Sequence, residues 1–150
     1  MPAGVVTREI GRDALRLVVN AAHPLAQRAA VSLAEFRDEG FIAYPPDIGT
    51  GLPAIFDDLC RNAGFEPRIV QHAREATTQI GLVASGLGVA LLPAPLECVR
   101  LPRVRYLALS DEGAYLSLAV ACSARPPGPL LKTFLGVIDR IAGSCSGKEC

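Results

Sequence analysis

The chain has 150 residues, of which 50% are hydrophobic and 20% are charged, a balance that suits a single folded core. Fifteen basic side chains offset fifteen acidic ones, so no overall field would hold a polyanion and we expect no direct DNA binding. No apolar run approaches the roughly eighteen residues that a membrane span needs, which excludes a transmembrane helix.

In chain order, the first predicted element is a β-branched strand over residues 15–20. The sequence S-x-x-E, which starts at Ser32, is a capping box and predicts a short helix that Gly40 closes. A buried strand over residues 41–44 follows, and it leads into a loop at 45–51 that is rich in proline and glycine.

Apolar side chains then recur at helical spacing from residue 52 to residue 63, with Gly64 suited to the helix C-terminus. The remaining elements alternate between strands and helices, which predicts parallel pairing with helices on the faces of a sheet. These are strands at 69–72, 89–92, 104–109 and 116–122, and helices at 78–87 and 131–142, the last ended by Gly143.

The segment EATTQIGLVASGLGVALLPAP changes period twice and is the most informative part of the chain. Thr77 or Thr78 is the predicted N-cap of its helix, and Gly86 and Gly88 are predicted to stop that helix. The apolar run at 89–92 then predicts a strand buried on both faces. The free backbone N–H groups at the start of such a helix favour an anionic ligand.

The five cysteines show no spacing typical of a disulfide framework. Cys60, Cys98 and Cys122 lie within apolar patterns, where a thiol behaves as a small hydrophobe. Cys145 and Cys150 have four residues between them, more than usual zinc pairs have, and no histidine is near. The opening residues lack the apolar core of a signal peptide. We therefore expect a cytoplasmic protein with no metal and no other cofactor.

Four motifs in sequence resemble the effector-binding domain of LysR-type transcriptional regulators, especially those that respond to aromatic or related carboxylates. They are HPLA at 23–26, a strand followed by Tyr44 and Pro45, AGFEP at 63–67, and VASGLGVALLPAP at 83–95. The resemblance covers roughly residues 15–142. The winged helix-turn-helix and the first strands and helices of the effector domain have no match here, so we expect an N-terminally truncated domain without its own DNA-binding part.

The resemblance implies an α/β, two-lobed, periplasmic-binding-protein-like (type II) fold whose first lobe is incomplete. Two strands would cross between the lobes, the outbound one at 41–44 and the return near 113–118. The implied divisions are a remainder of the first lobe at 1–44, the second lobe at 45–112, a return strand and helix at 113–143, and a tail at 144–150.

The same resemblance implies a ligand cleft, which lies where strand C-termini and helix N-termini converge. Thr50, Thr78 and Gln79 would donate hydrogen bonds to a carboxylate, and Tyr44 and Ile80 would pack on its apolar body. The alternative is that the threonines only cap a helix and order a turn. The positions that match the family's cleft are Tyr44, Pro45, Thr50, Thr78, Gln79, Ile80 and Gly81.

No catalytic set is recognisable. Ser85 lacks the G-x-S-x-G context of a nucleophile, and neither His23 nor His72 has a spacing that marks a triad. The glycines at 86–88 follow a helix and precede a strand, the reverse of a dinucleotide motif. We therefore expect that the protein is not an enzyme.

Two functions remain open. The first is a ligand-sensing effector-binding domain of a LysR-type regulator with a small carboxylate effector. The alternative is a stand-alone solute-binding or transport component of the same fold, against which the lack of a signal peptide counts. We expect a homodimer or higher oligomer with Phe134 and Ile138 as apolar contacts, and no membrane partner.

Overall fold

The structure is a computed structural model that describes residues 4–49, 51–123 and 128–145, with side chains as far as Ile141. It contains two compact units. The larger unit is Ala14–Leu116, and the smaller unit comprises Met1–Asp13 and Ser117–Cys150, as far as these are described. The predicted lobe boundaries after residues 44 and 112 do not coincide with the ends of these units, and the division into lobes stays a prediction.

The elements alternate between strands and helices, as predicted. The described strands are β1 (Val5–Asn20), β2 (Ala30–Val31), β3 (Gly40–Ala43), β4 (Arg68–His72), β5 (Val89–Pro93), β6 (Val104–Leu109) and β7 (Tyr115–Ser123). The described α-helices are α1 (Leu52–Asn62), α2 (Ala76–Ala84) and α3 (Pro129–Cys145). Short 3-10 helices span Leu33–Phe36, Pro46–Ile48 and Ala94–Cys98.

The strands form one mixed sheet in the order β2-β6-β1-β5-β3-β4, with β7 paired to β1. Strand β3 is parallel to β4 and β5, and β2 is parallel to β6, as the alternation of elements predicts. Strand β1, in contrast, is antiparallel to both β5 and β6. The expectation of parallel pairing therefore fails at β1, because a hydrophobic run has the same pattern in either direction.

Successive residues of the central strands face opposite sides of the sheet, as the two-residue period of a strand requires. Leu17 and Phe41 belong to a core cluster that includes α1, whereas Val18 and Ile42 belong to a second cluster that includes α2. The fully or nearly buried helix side chains in these clusters are Leu52, Phe56, Leu59 and Cys60 from α1, and Ile80 and Val83 from α2. The larger unit thus has helices on both faces of its sheet.

Two strands lie unusually close at Gly40 and Gly88. A Cβ atom added to Gly88 would lie 2.3 Å from the carbonyl oxygen of Gly40, a distance that no side chain can occupy. Gly86 ends α2 with a φ of 85°, as predicted. The prediction that Gly88 also ends the helix is wrong, because this residue lacks a positive φ and instead permits the close approach of β3 and β5.

Three predicted elements differ from the structure. Strand β1 begins at Val5, ten residues before the predicted start at residue 15, because its charged first half hides the strand from a search for apolar runs. The capping box at Ser32 is confirmed, but its 3-10 helix ends at Phe36, and Gly40 is the first residue of β3. Helix α3 continues past the predicted stop at residue 143.

The predicted outbound crossing at residues 41–44 does not coincide with a boundary between the two units. Strand β3 lies wholly inside the larger unit, where it pairs with β4 and β5. Strand β1 instead contains the boundary between Asp13 and Ala14, and β7 contains the one between Leu116 and Ser117. A short buried strand and a crossing strand have the same apolar pattern, so only the pairing distinguishes them.

Polar contacts join the elements of the smaller unit. Arg8 forms an ion pair with Asp139 of α3 at 2.6 Å, and the hydroxyl of Ser117 donates to the Glu9 carboxylate at 2.6 Å. The exposed apolar side chains of α3 recur at helical spacing and form a stripe, which consists of Leu130, Phe134, Val137 and Ile141. No helix within the described ranges is long and apolar enough to cross a membrane.

Candidate functional site

The start of α2 lies at the carboxyl ends of two parallel strands. Strands β3 and β4 end at Ala43 and His72, and α2 begins four residues later at Ala76. The amide of Ala73 donates to the carbonyl of Ala43 at 3.0 Å, which ties the two strand ends together. In open α/β sheets, this edge is where ligands bind.

Helix α2 has no side-chain cap. Its N-cap is Glu75 in an extended conformation, whose carbonyl accepts the first helical hydrogen bond from Gln79 at 3.1 Å. The prediction that Thr77 or Thr78 is the N-cap is therefore wrong: both are exposed residues of the first turn. The amides of Ala76, Thr77 and Thr78 thus have no acceptor within the helix, and together with the helix dipole they favour an anion.

The loop after β3 lies beside this helix terminus. Arg74, which precedes α2, forms an ion pair at 2.5 Å with Asp47, which lies in the 3-10 helix after Pro45. Both side chains are more than 60% exposed, and the guanidinium lowers the pKa of the Asp47 carboxyl. The predicted site residue Thr50 lies outside the described residues.

Tyr44 is a half-buried aromatic residue next to the end of β3, and it packs against both core clusters. Burial raises the pKa of its phenol, and the nearby carboxylate of Glu75 raises it further. The phenol is therefore neutral at pH 7 and can donate a hydrogen bond. A shallow apolar hollow beside it is lined by Ile42, Ala43, Tyr44, Leu52, Pro53, Phe56 and Leu91.

Gln79 is the one polar side chain that is fully buried among the described residues. Its Nε2 donates to the carbonyl of Ala73 at 2.9 Å, whereas its buried Oε1 has no hydrogen-bond partner. Exchanging the amide nitrogen and oxygen would place Oε1 against the Ala73 carbonyl, so this bond determines the orientation. An unsatisfied acceptor of this kind costs about 1–3 kcal/mol.

The other predicted site residues lie further along α2. Ile80 is fully buried in the cluster with Ile42 and Val83, so its side chain has no exposed surface for a ligand. Gly81 is exposed, with open space where a Cβ atom would lie. The structure thus brings Tyr44, Pro45, Thr78 and Gln79 to one edge of the sheet. Ligand binding by the seven positions predicted from the sequence stays a prediction.

Asn20 anchors the opposite end of α2, a role that the sequence did not reveal. Its Nδ2 donates to the carbonyls of Val83 at 3.2 Å and Ala84 at 3.0 Å, and its Oδ1 accepts from the amide of Ala22 at 3.0 Å. These carbonyls belong to the last turn of α2, and that of Val83 also accepts from the amide of Gly86 at 3.0 Å. The contact joins residues 63 and 64 positions apart, so no local pattern predicts it.

The cysteines lie in different environments. Cys60 is fully buried, and burial raises the pKa of its thiol to about 12. Cys98 is exposed, so the expectation that it packs as a small hydrophobe is wrong, and Cys122 is half-buried. Within the part of the chain that the structure describes, no group of three or more His, Cys, Asp or Glu side chains is arranged to hold a metal ion.

Two solved structures have the same fold. The benzoate-bound effector-binding domain of BenM matches with a TM-score of 0.85 and 22% identity, covering 100% of this chain and 68% of that domain. The shikimate-bound effector-binding domain of QuiR matches with a TM-score of 0.78 and 22% identity, covering 94% of this chain and 66% of that domain. The predicted α/β, type II periplasmic-binding-protein-like fold is thereby confirmed.

Comparison of the sequence with known families agrees with this fold. The LysR substrate binding domain family matches residues 1–142, and the chain belongs to this family. The transcriptional regulator YnfL of Escherichia coli K12, uncharacterized, is 38% identical over 114 residues, or 76% of this chain and 38% of that protein. BudR of Raoultella terrigena is 29% identical over 128 residues, or 85% and 44%. The chain thus spans less than half the length of these regulators.

Proposed function

We propose that this chain senses a small carboxylate effector at the start of α2 and the adjoining loop after β3. The observation that carries the proposal is the uncapped N-terminus of α2 at the carboxyl edge of the parallel strands. Relatives named as transcriptional regulators support a sensory role over a solute-binding or transport component and over an enzyme. The benzoate and shikimate of the two matched domains are both small carboxylates.

In the proposed complex, the effector carboxylate accepts hydrogen bonds from the free amides of the first turn and from the Thr78 hydroxyl. Tyr44 and Pro45 contact its apolar body. The carboxylate of Glu75 opposes an anion here, and Arg74 already faces Asp47. The backbone amides outweigh that repulsion, since a hydrogen bond to a charged group contributes about 1.5–3 kcal/mol and two charges 4 Å apart in water interact by about 1 kcal/mol.

A thermal-shift screen of aromatic and aliphatic carboxylic acids tests the proposal. An acid at about 100 times its dissociation constant adds roughly 2.7 kcal/mol to the free energy of unfolding and raises the melting temperature. We expect Thr78→Val to abolish the shift, with Thr77→Val, in the same exposed turn, as the matched control. If Thr78→Val binds as well as the parent chain, the site is assigned wrongly.

We further propose that the chain forms a homodimer or higher oligomer through α3. The apolar stripe of this helix leaves Leu130 86% exposed and Phe134 56% exposed, an arrangement that favours association. As a sensor of a transcriptional regulator it would act in the cytoplasm, where the chromosome lies, and the chain itself would not bind DNA because its charges balance.

A further inference from the structure

We propose that the chain carries a second ligand site, formed by residues 97–106, which takes a small aromatic dianion such as an aryl phosphate. The site is an open hollow of about 470 Å³ that extends from the 3-10 helix Ala94–Cys98 to the start of β6. Its volume lies within the roughly 300–1,000 Å³ that is typical of small-molecule sites. The side chains that line it combine cationic groups with apolar surface.

The cationic groups are two arginines that have no carboxylate partner. Arg100 and Arg105 line the hollow, and neither forms an ion pair within the described ranges. The Nη1 atom of Arg105 donates to the carbonyls of Pro102 at 3.1 Å and Val104 at 2.8 Å. These bonds hold the guanidinium in place and leave Nε and Nη2 without an acceptor in the part of the chain that the structure describes. A guanidinium held in this way can bind a phosphate through two parallel hydrogen bonds.

The acidic residue of the lining does not cancel this charge. Glu97 lines the hollow, but its carboxylate already forms an ion pair with Arg16 of β1. Around the hollow, three guanidinium groups thus stand against one carboxylate, a local excess of two positive charges in a chain whose formal net charge is zero. An excess of this size favours a ligand with two negative charges over a ligand with one.

The rest of the lining is apolar and suits an aromatic body. Leu101 is 39% exposed, and Pro102, Val104 and Tyr106 line the same hollow. The phenol of Tyr106 donates to the carbonyl of Val99 at 2.7 Å, so its hydroxyl is occupied and the residue offers its ring. A phosphate ion alone would leave this apolar surface in water, whereas an aryl group would cover part of it.

The hollow is distinct from the effector site proposed at the start of α2. Val104 of its lining is the strand partner of Asn20, whose side chain binds the last carbonyls of α2. The hollow therefore lies towards the C-terminal end of this helix. The nine residues of α2 separate its two ends by about 13 Å, so a ligand can be assigned to one site or the other.

An NMR titration of the whole chain with phenyl phosphate tests this site. We expect the backbone amide signals between residues 99 and 106 to move, and those of Thr77 and Thr78 to stay in place. Phenyl phosphate should bind at least about fivefold more tightly than inorganic phosphate, because only the ester has a ring to place on the apolar side chains. It should bind at least about threefold more tightly than benzenesulfonate, which has a single negative charge.

Matched arginine variants separate a specific site from general attraction. Arg100→Ala and Arg105→Ala should each weaken phenyl phosphate binding about fivefold, because each removes a charged donor from the hollow. Arg103→Ala removes an exposed arginine of the same segment that does not line the hollow, and it should leave the affinity within about 1.5-fold. If Arg105→Ala does not fold, Arg100→Ala decides the outcome, because the Arg100 side chain makes no hydrogen bond or ion pair among the described residues.

Several results would overturn the second site. An equal loss in Arg103→Ala would indicate diffuse attraction, and equal affinities for phenyl phosphate and inorganic phosphate would indicate an adventitious ion only. Equal affinity for benzenesulfonate would contradict the preference for a dianion. Signal changes confined to Thr77 and Thr78 would place the ligand at the start of α2, which overturns the second site and supports the effector site. No binding of phenyl phosphate would overturn the second site and leave the effector site untouched.

Discussion

Replacing Asn20 by aspartate should remove the hydrogen bonds that join the end of β1 to α2. In the parent chain, Nδ2 donates to the last carbonyls of α2, those of Val83 and Ala84. Asn20→Asp replaces this nitrogen with an oxygen that cannot donate. The bond that Oδ1 accepts from Ala22 survives, so the turn after β1 should keep its shape.

The size of the effect follows from these contacts. Two hydrogen bonds of about 0.5–1.5 kcal/mol each are lost, which accounts for about 1–3 kcal/mol. The new negative charge also faces the negative end of the helix dipole, which adds about 0.3–1 kcal/mol. We therefore expect Asn20→Asp to lower the free energy of unfolding by about 1–4 kcal/mol at pH 7.

This deficit should depend on pH. Repulsion by the two carbonyls raises the pKa of the new carboxyl in the folded state above its unfolded value. The folded variant then binds its proton more readily than the unfolded one, so the deficit is fully present above the raised pKa and shrinks as the pH falls through it. The protonated carboxyl can donate to a carbonyl again.

Urea denaturation followed by circular dichroism at pH 7.5 and pH 5 measures this deficit against the parent chain at each pH. Asn20→Ala is the control, because it removes the donor, and with it the Oδ1 acceptor of Ala22, without adding a charge; its cost should not change with pH. If neither variant lowers the free energy of unfolding, the hydrogen bonds from Asn20 do not hold α2.

Other predictions concern packing, chemical reactivity and association. Gly88→Ala should lower the free energy of unfolding by about 1–3 kcal/mol or more, because its Cβ would lie 2.3 Å from the Gly40 oxygen; unchanged urea denaturation would contradict the close approach of β3 and β5. Iodoacetamide at pH 8 should label Cys98 in the folded chain and spare Cys60 until urea unfolds the protein. Mass spectrometry measures the labelling, and modification of Cys60 in the folded chain would contradict this prediction. Phe134→Glu should shift the chain towards monomer in sedimentation runs across concentrations, and an unaffected dimer would remove α3 from the interface. A mobility-shift assay at low salt should leave DNA free, and a discrete complex would contradict the charge argument.

Much of the fold was predictable because it depends on residues that are neighbours along the chain. The apolar spacing from residue 52 and the glycine at Gly64 predicted α1, which spans Leu52–Asn62, and Gly64 has the expected positive φ of 81°. The apolar run at 89–92 predicted β5 in the same way, and all four of its side chains are buried in the structure. Helical period, strand period and terminal glycines act within a few residues, so they are visible in a sequence.

The tertiary structure decided what depends on distant residues. The first half of β1 has charged side chains whose partners, such as Asp139 for Arg8, come from the far end of the chain. A glycine at position 88 is required only because β3 passes at Gly40. Nε2 of Gln79 donates to the carbonyl of Ala73, and its buried Oε1 has no partner. Sequence patterns thus determined the elements, their order and the family. Contacts between distant residues decided the direction of β1, the true start of α2 and the chemistry of its N-terminus, because pairing and burial depend on which parts of the chain meet.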